Sequence, residues 1–252
     1  MLISVITVCY NSARTIGQAL ESVARQSFTD YEHIVVDGAS SDGTMEVVEA
    51  HRHARLSAVS EPDKGIYHAM NKGLARATGD YVQFLNSDDF LTGPDALGIA
   101  AAAMRESGAD CVFGDTRFIK GDEAKPGRRY YSARRFRRWW VRAGVMPPHP
   151  SMFVKRELLL KLGGFDTSYR VSADFDLIAR VLIAEKASWV TAPHAITNFR
   201  TGGLSTSGFR TKMAISRESA RSLKALGQPL PGLSVLGRFP LKLGQFNPFR
   251  AR

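Results

Sequence analysis

The chain has 252 residues, 44% hydrophobic and 23% charged, the make-up of an ordinary globular protein with ample length for a core. Its two cysteines exclude a disulfide framework and fit a reducing compartment. No window approaches the ~18 apolar residues that a membrane span needs.

"LISVITVC" opens the chain as a strand; with no basic flank and no cleavage site, it does not read as a signal peptide. Asn11 or Ser12 is placed to cap a helix reaching about Gln26. "YEHIVVD" is a second strand, and "SSDGT" caps a helix to about His53. After the short strand "RLSAVSE", the spacing of Ile66, Met70, Leu74 and Ala77 predicts a helix with one apolar face. "DYVQFL", a helix over about 95–106 and "DCVFGD" complete the regular half. Repeated βα units predict an α/β fold, a mostly parallel sheet with helices on both faces. Ligands of such sheets bind at the carboxyl ends of the strands, where Asn11, Asp37, Glu61 to Lys64 and Asn86 to Asp89 all fall.

The second half is less regular. "KGDEAKPG" reads as a polar loop, "YYSARRFRRWWVRAG" as a basic aromatic segment, and "SADFDLIARVLI" as a helix start. One domain over 1–227 is expected, in two halves (1–116 and 117–227), with a Pro/Gly-broken basic tail (228–252).

The net charge of +10 is unevenly spread. Arg117 to Arg142 carries ten basic and two acidic residues, and Ser207 to Arg252 nine and one, so the remainder is acidic. That pattern points to a local anionic contact and not to a nucleic-acid binder, and no helix-turn-helix, RNP or zinc spacing is present. On a helix, Phe136, Trp139, Trp140 and Ala143 would share one face and Arg134, Arg137 and Arg138 the other, the pattern of a helix in a membrane interface.

"SVITVCYN", "VVDGASSDGT", "EPDKGIYHAMNKGLARATGDYVQFLNSDD" and "HPSMF…GGFD…ADFDL" occur in an order and spacing that resemble family 2 glycosyltransferases of the GT-A fold, in the branch that builds bacterial surface polysaccharide. The resemblance covers about residues 1–205. It implies a nucleotide diphosphate sugar donor, a UDP-sugar by preference, and Thr7, Tyr10, Asn11, Asp37, Asp63, Lys64 and Asn71 on the donor side. It implies that "NSD", Asn86-Ser87-Asp88, stands at the D-x-D motif, with Asp88 on Mg²⁺ or Mn²⁺. One carboxylate suffices for a hard cation that takes its other ligands from phosphate and water. Asn86 then bonds ribose or a bound water, and Asp89 is the structural member of the pair, held by an Arg.

The resemblance further implies that Asp174 is the base of an inverting transfer, with Asp176 as the alternative. His149 would line the sugar and acceptor side, and Arg200, in the Gly-containing stretch 199–206, would reach the diphosphate. The family commonly has Asp where this chain has His68. Arg135 to Trp139 is similar to the R-x-x-R-W motif of processive synthases but precedes Asp174, so transfer of a single sugar is expected. The acceptor is expected to be a glycan or lipid-linked sugar. The enzyme would be cytoplasmic and peripheral on the inner face of the membrane, bound through Arg134–Arg142 and the tail. A nucleotidyltransferase is the alternative enzyme, although "CYNSART" lacks a phosphate-loop glycine. A degenerate sugar-nucleotide binder is the non-enzymatic alternative, motivated by Asn86 and His68.

Overall fold

Strand β1, Ile3–Cys9, is buried at every residue, as a strand covered on both faces must be. It lies in the nine-stranded sheet of a computed structural model that describes residues 1–120, 125–201, 208–232 and 237. In chain order, β1 is followed by α1 (Ile16–Ala24), β2 (Tyr31–Asp37), α2 (Thr44–Ala50), β3 (Leu56–Ser60), α3 (Ile66–Arg76) and β4 (Tyr81–Phe84). Then come β5 (Phe90–Leu91), α4 (Ala96–Ser107), β6 (Cys111–Lys120), β7 (Lys125–Tyr131), α5 (Trp139–Arg142), β8 (Met152–Lys155), α6 (Arg156–Lys161), α7 (Ala173–Ala179), β9 (Trp189–Arg200) and α8 (Gly208–Ala225).

The sheet order is β3-β2-β1-β4-β8-β6-β9-β5, with β7 on β6. The first four strands are parallel, the βα half that the sequence predicts. Beyond β4 the pairing is mixed: β8 runs antiparallel to both neighbours, while β6 and β9 are parallel. Alternate residues of β1 and β2 serve opposite faces. Ile6, Val8, Ile34 and Val36 meet Met70 and Leu74 of α3, whereas Cys9 and Val35 meet α1 and α2 through Ile16, Leu20 and Val48. Gly73 explains how closely α3 sits: a Cβ there would lie 2.4 Å from Ile6 Cγ2. The close approach offsets the roughly 1 kcal/mol that glycine costs a helix interior. Both cysteines are buried and free.

Three expectations are corrected. Helix α1 starts at Ile16, because Asn11 adopts a left-handed φ of 48° and Ser12 accepts the first N–H groups through its carbonyl, not its side chain. Ile66, expected on the apolar face of α3, is the helix's first residue and is exposed. The third concerns the Arg/Trp segment, of which only Trp139–Arg142 is helical. Phe136 is captured by the core, edge-on to Phe113 and Trp189. Arg138 follows it inward, donating to the carbonyls of Leu182 (2.6 Å) and Ala187 (3.0 Å) with its guanidinium over the Trp189 ring. A two-faced helix therefore does not form. Trp139 remains 55% exposed among exposed Arg134, Arg135, Arg137 and Arg142. Most of the expected tail, including Leu236, Phe239, Leu241, Leu243, Phe246 and Phe249, lies outside the described residues. Among the described residues no helix is long and apolar enough to cross a membrane.

Candidate active site

Parallel register sets Cys9 beside Asp37 and Asp37 beside Ser60, so three strands end together. Asp37 is fully buried there. Its carboxylate accepts from Ser40 N–H (2.9 Å), Ser40 Oγ (2.5 Å), Ser60 Oγ (2.6 Å) and, weakly, Cys9 Sγ (3.5 Å). Burial opposes its ionisation, but the serine hydrogen bonds win and hold its pKa below the ordinary carboxylate value. Asp37 therefore shapes the 37–40 turn from below.

Above it, a Cβ at Gly38 would lie 2.6 Å from Asp63 Oδ2 and 3.3 Å from Tyr10 Cδ2. The absence of a Cβ at Gly38 lets the Asp63 carboxylate and the Tyr10 ring both close onto this turn. Asp63 also accepts from Gly65 N–H at 2.7 Å. Lys72, on α3, steadies the same loop through Pro62 O (2.8 Å) and Glu61 (3.2 Å). Asn11 is fixed to the facing loop, its N–H on Ser40 Oγ and its side-chain oxygen accepting from Ser41 N–H. Tyr10, Asn11, Asp37 and Asp63 thus converge, with the Tyr10 ring exposed.

Thr7 and Asn71 are not brought there. Thr7 is buried beneath the sheet, 2.9 Å from His33 Nε2. Asn71 exchanges both amide groups with the main chain of Phe165, each at 2.8 Å, and so pins α3 to that turn. Lys64 stands apart, beside a cleft between α3 and residues 167–170.

The acidic turn follows β4. Ser87 Oγ donates to Ser12 Oγ at 3.0 Å, joining this turn to the first loop. Asp89 is buried and accepts from Arg200 N–H at 3.0 Å and Asn86 Nδ2 at 3.4 Å. Burial and then the charge of Asp88 hold its pKa well above the ordinary value, and burial raises that of Asp88 too. Arg200 also donates from Nε to Asp88 O (3.2 Å) and from Nη2 to Gln18 (2.6 Å). It is the Arg expected beside Asp89, although its bond there runs from the main chain.

A divalent cation fits this turn. Asp88 is a desolvated carboxylate with no salt bridge among the described residues, and Asn86 Oδ1 is buried without a partner. Both are hard oxygen donors. No group of three or more His, Cys, Asp or Glu occurs among the described residues, so phosphate and water would complete the coordination.

At the start of α7 the two acids of "ADFD" part company. Asp176 is 7% exposed and paired with Arg180 at 2.8 Å. Arg180 in turn donates to the carbonyls of Leu162 and Gly164, so Asp176 is structural. Asp174 is 25% exposed, accepts from Phe175 N–H and stands 3.9 Å from His149 Nε2. His149 sits in a short 3-10 turn, His149–Ser151, whose Pro150 carbonyl accepts from Gln83 of β4 at 3.0 Å. Its ring is 6.3 Å from that of Phe199, the neighbour of Arg200. Asp174, His149, Phe199, Arg200 and the acidic turn thus form one contiguous chain of neighbours.

The sequence gives little notice of Glu218 and Tyr67. Glu218, on α8, accepts the N–H groups of Arg170 (3.0 Å), Val171 (2.9 Å) and Ser172 (2.9 Å), the residues leading directly into Asp174. Its one signal is that it is the single acid from Ser207 to Arg252. Tyr67 lies against the main chain of Ala173 and Asp174; burial, then Asp174, holds its hydroxyl above the usual phenol range. As part of "GIY" it had no signal beyond the motif.

The model of the glycosyl transferase family 2 matches residues 4–163. The chain belongs to that family. An uncharacterized glycosyltransferase of Mycobacterium tuberculosis is 32% identical over 207 residues, covering 80% of this chain and 76% of that one. A "PGL/p-HBAD biosynthesis glycosyltransferase" of Mycobacterium bovis is 32% identical over 183 residues, covering 71% and 69%. Among solved structures, S. aureus TarS 1-349 in complex with UDP-GlcNAc superposes with a TM-score of 0.74 at 22% identity, covering 98% and 75%, and shares the fold. The transferase is therefore an enzyme of sugar transfer in glycan biosynthesis, with the GT-A architecture expected of it. The match sets the nucleotidyltransferase alternative aside.

Proposed function

We propose that the transferase moves one sugar, with inversion, from a UDP-sugar to a hydroxyl of a glycan or lipid-linked acceptor, using a divalent cation. One observation carries this reading: Asp174 is an accessible carboxylate beside His149, while its neighbour Asp176 is spent on Arg180. In the proposed step the acceptor hydroxyl attacks the anomeric carbon and gives its proton to Asp174. The new C–O bond forms as the bond to the diphosphate breaks, and the electron pair leaves with UDP. His149 holds the Asp174 carboxylate toward the acceptor. Tyr10 and Asp63 take the nucleoside, over a turn that Asp37 keeps rigid. Asp88 and Asn86 Oδ1 would hold Mg²⁺ or Mn²⁺, which supplies positive charge to the departing diphosphate.

UDP as the carrier is supported by TarS structures with UDP-GlcNAc and with UDP. Use of a metal is supported by a mannosyltransferase of Pyrobaculum calidifontis, solved with GDP-Man and Mn2+, of TM-score 0.67 and 23% identity. Peripheral attachment to an anionic inner membrane face is part of the proposal and is supported by the exposed Arg134, Arg135, Arg137, Trp139 and Arg142. The test is turnover of a panel of nucleotide sugars with and without Mn²⁺, with the anomeric configuration of the product read by NMR. A retained configuration, or turnover indifferent to chelation, would refute the inverting or the metal part respectively.

A further inference from the structure

A cleft of about 240 Å³ opens between the first turn of α3 and the turn that precedes α7, lined among others by Lys64, Tyr67, His68, Ser168, Tyr169 and Arg170. Its lining holds three basic side chains and no acidic one. Among the described residues neither the Lys64 ammonium nor the Arg170 guanidinium has a hydrogen-bond or ion-pair partner. Three nearby acids hydrogen-bond main-chain N–H groups and make no ion pair with either cation. Asp63 accepts from Gly65 N–H, Asp166 from Ser168 N–H, and Glu218 from the main chain of residues 170–172. The lining itself thus carries only basic charge, while the Glu218 and Asp174 carboxylates lie behind it, against the main chain of Arg170 and beyond Tyr67.

The walls are firmly built. Arg221 of α8 donates to Ser168 Oγ at 2.7 Å and lies over the Tyr169 ring at 4.3 Å, while Glu218 holds the N–H groups beside Arg170. The cleft also adjoins the reacting groups. Its Tyr67 wall abuts the main chain of Asp174, and its 167–170 wall runs directly into α7. The donor diphosphate belongs at the Asn86–Asp89 turn, so an anion here has another source.

We infer that this cleft binds an anionic group, phosphate or carboxylate, carried by the acceptor close to the hydroxyl that is glycosylated. The inference rests on the transfer reading above and narrows it to an acidic acceptor. A planar guanidinium matches either oxyanion with two parallel hydrogen bonds. The volume is below the roughly 300–1,000 Å³ of common small-molecule sites, so it suits one charged group and not an oligosaccharide.

The experiment uses the full chain saturated with UDP and Mg²⁺, titrated with methyl phosphate and separately with glucuronate by ligand-observed NMR. Methyl phosphate binding alone identifies a phosphate-bearing acceptor, and glucuronate binding alone a uronate-bearing one. Binding should weaken about tenfold or more in Arg170→Ala, which removes the charge-assisted pair of hydrogen bonds, and vanish in Arg170→Glu. His68→Gln, on the opposite wall, is the second variant and should weaken it too. UDP affinity should not change in any of them. The inference is overturned if neither probe binds, if binding survives Arg170→Glu, or if the probes compete with UDP. Should the wild type not bind UDP, the donor reading fails. The titration without nucleotide then decides the cleft separately, an Arg170-dependent signal supporting it and its absence overturning it.

Discussion

The main-chain N–H of Arg200 donates to Asp89 Oδ1 at 3.0 Å, tying the end of β9 to the acidic turn after β4. Asp89 is thereby consumed within the fold, while Asp88, one residue earlier, keeps a carboxylate that no cation of the protein neutralises by a salt bridge among the described residues. Asp88→Ala should therefore abolish transfer and remove the extra thermal stability that UDP with Mn²⁺ confers over UDP alone. Asn86→Ala should weaken both less. Near-normal turnover in Asp88→Ala would show that the cation, if one is used, is held elsewhere.

The neighbouring acids of α7 should behave as opposites. Asp174→Asn keeps the shape of the site and should leave UDP and metal affinity intact, lowering the rate by roughly 10² to 10⁴. Asp176→Asn strips a largely buried partner from Arg180 and should act on stability, by about 3–5 kcal/mol at most for a broken buried pair. Single-turnover rates and thermal melts separate the two. A rate loss confined to Asp176→Asn would move the base two residues along.

Much of this site is legible in the sequence because parallel strands deliver their carboxyl ends to one edge. Asp37, Asp63, Asn86 to Asp89 and Asp174 could be named from motifs and strand ends alone. Side-chain direction could not. Thr7 lies within a strand, where one step of the pleat decides between ligand and core, and it faces His33. Asn71 is on a helix beside the site, yet the turn at Phe165 claims its amide. The Arg/Trp segment has helical spacing, but tertiary capture of Phe136 and Arg138 outweighs that local preference. Glu218 was hidden because its bonds run to main-chain groups about 46 to 48 residues away, which no local pattern encodes.

If Asp174 is the base as proposed, Glu218 is its positioning residue. Its two oxygens hold three consecutive N–H groups at the entrance to α7, so removing them frees the segment that carries the proposed base. Glu218→Ala should lower kcat while leaving the donor KM unchanged, and should alter the pH profile of kcat. Glu218→Gln, with one remaining acceptor oxygen, should recover part of the loss. A fall in melting temperature with kcat untouched would reduce Glu218 to a purely structural role.

His33 predicts acid lability. Burial, and then the proximity of His53, push its pKa from 6.5 down to about 3, and its Nδ1 is buried without a partner. The unfolded chain binds this proton more tightly than the native one. Stability is therefore fully present above pH 6.5 and is lost as pH falls toward 3, at about 1.4 kcal/mol per pH unit for one proton. Denaturant melts of the wild type and His33→Gln at pH 7.5 and 5 test this. The variant should lose less stability between the two, and equal slopes would remove His33 from the account.

The proposed attachment to an anionic membrane would use exposed side chains of an irregular stretch and not one face of a helix. Arg134, Arg135, Arg137 and Arg142 are exposed, and Trp139 is exposed among them, so charge and an aromatic anchor occupy one short stretch. Basic residues near an anionic bilayer contribute roughly 1 kcal/mol each, and tryptophan favours the headgroup layer. Arg138 is excluded from that sum, because its guanidinium serves the Leu182 and Ala187 carbonyls. Changing Arg134, Arg135 and Arg137 to Gln should therefore reduce co-sedimentation with anionic vesicles at low salt while leaving the melting temperature near that of the wild type. Arg138→Gln should do the reverse, lowering the melting temperature through lost packing while membrane binding persists. A wild type that ignores anionic vesicles at low salt, or a triple variant that binds them as well as the wild type does, would leave the basic stretch as a solvated surface segment.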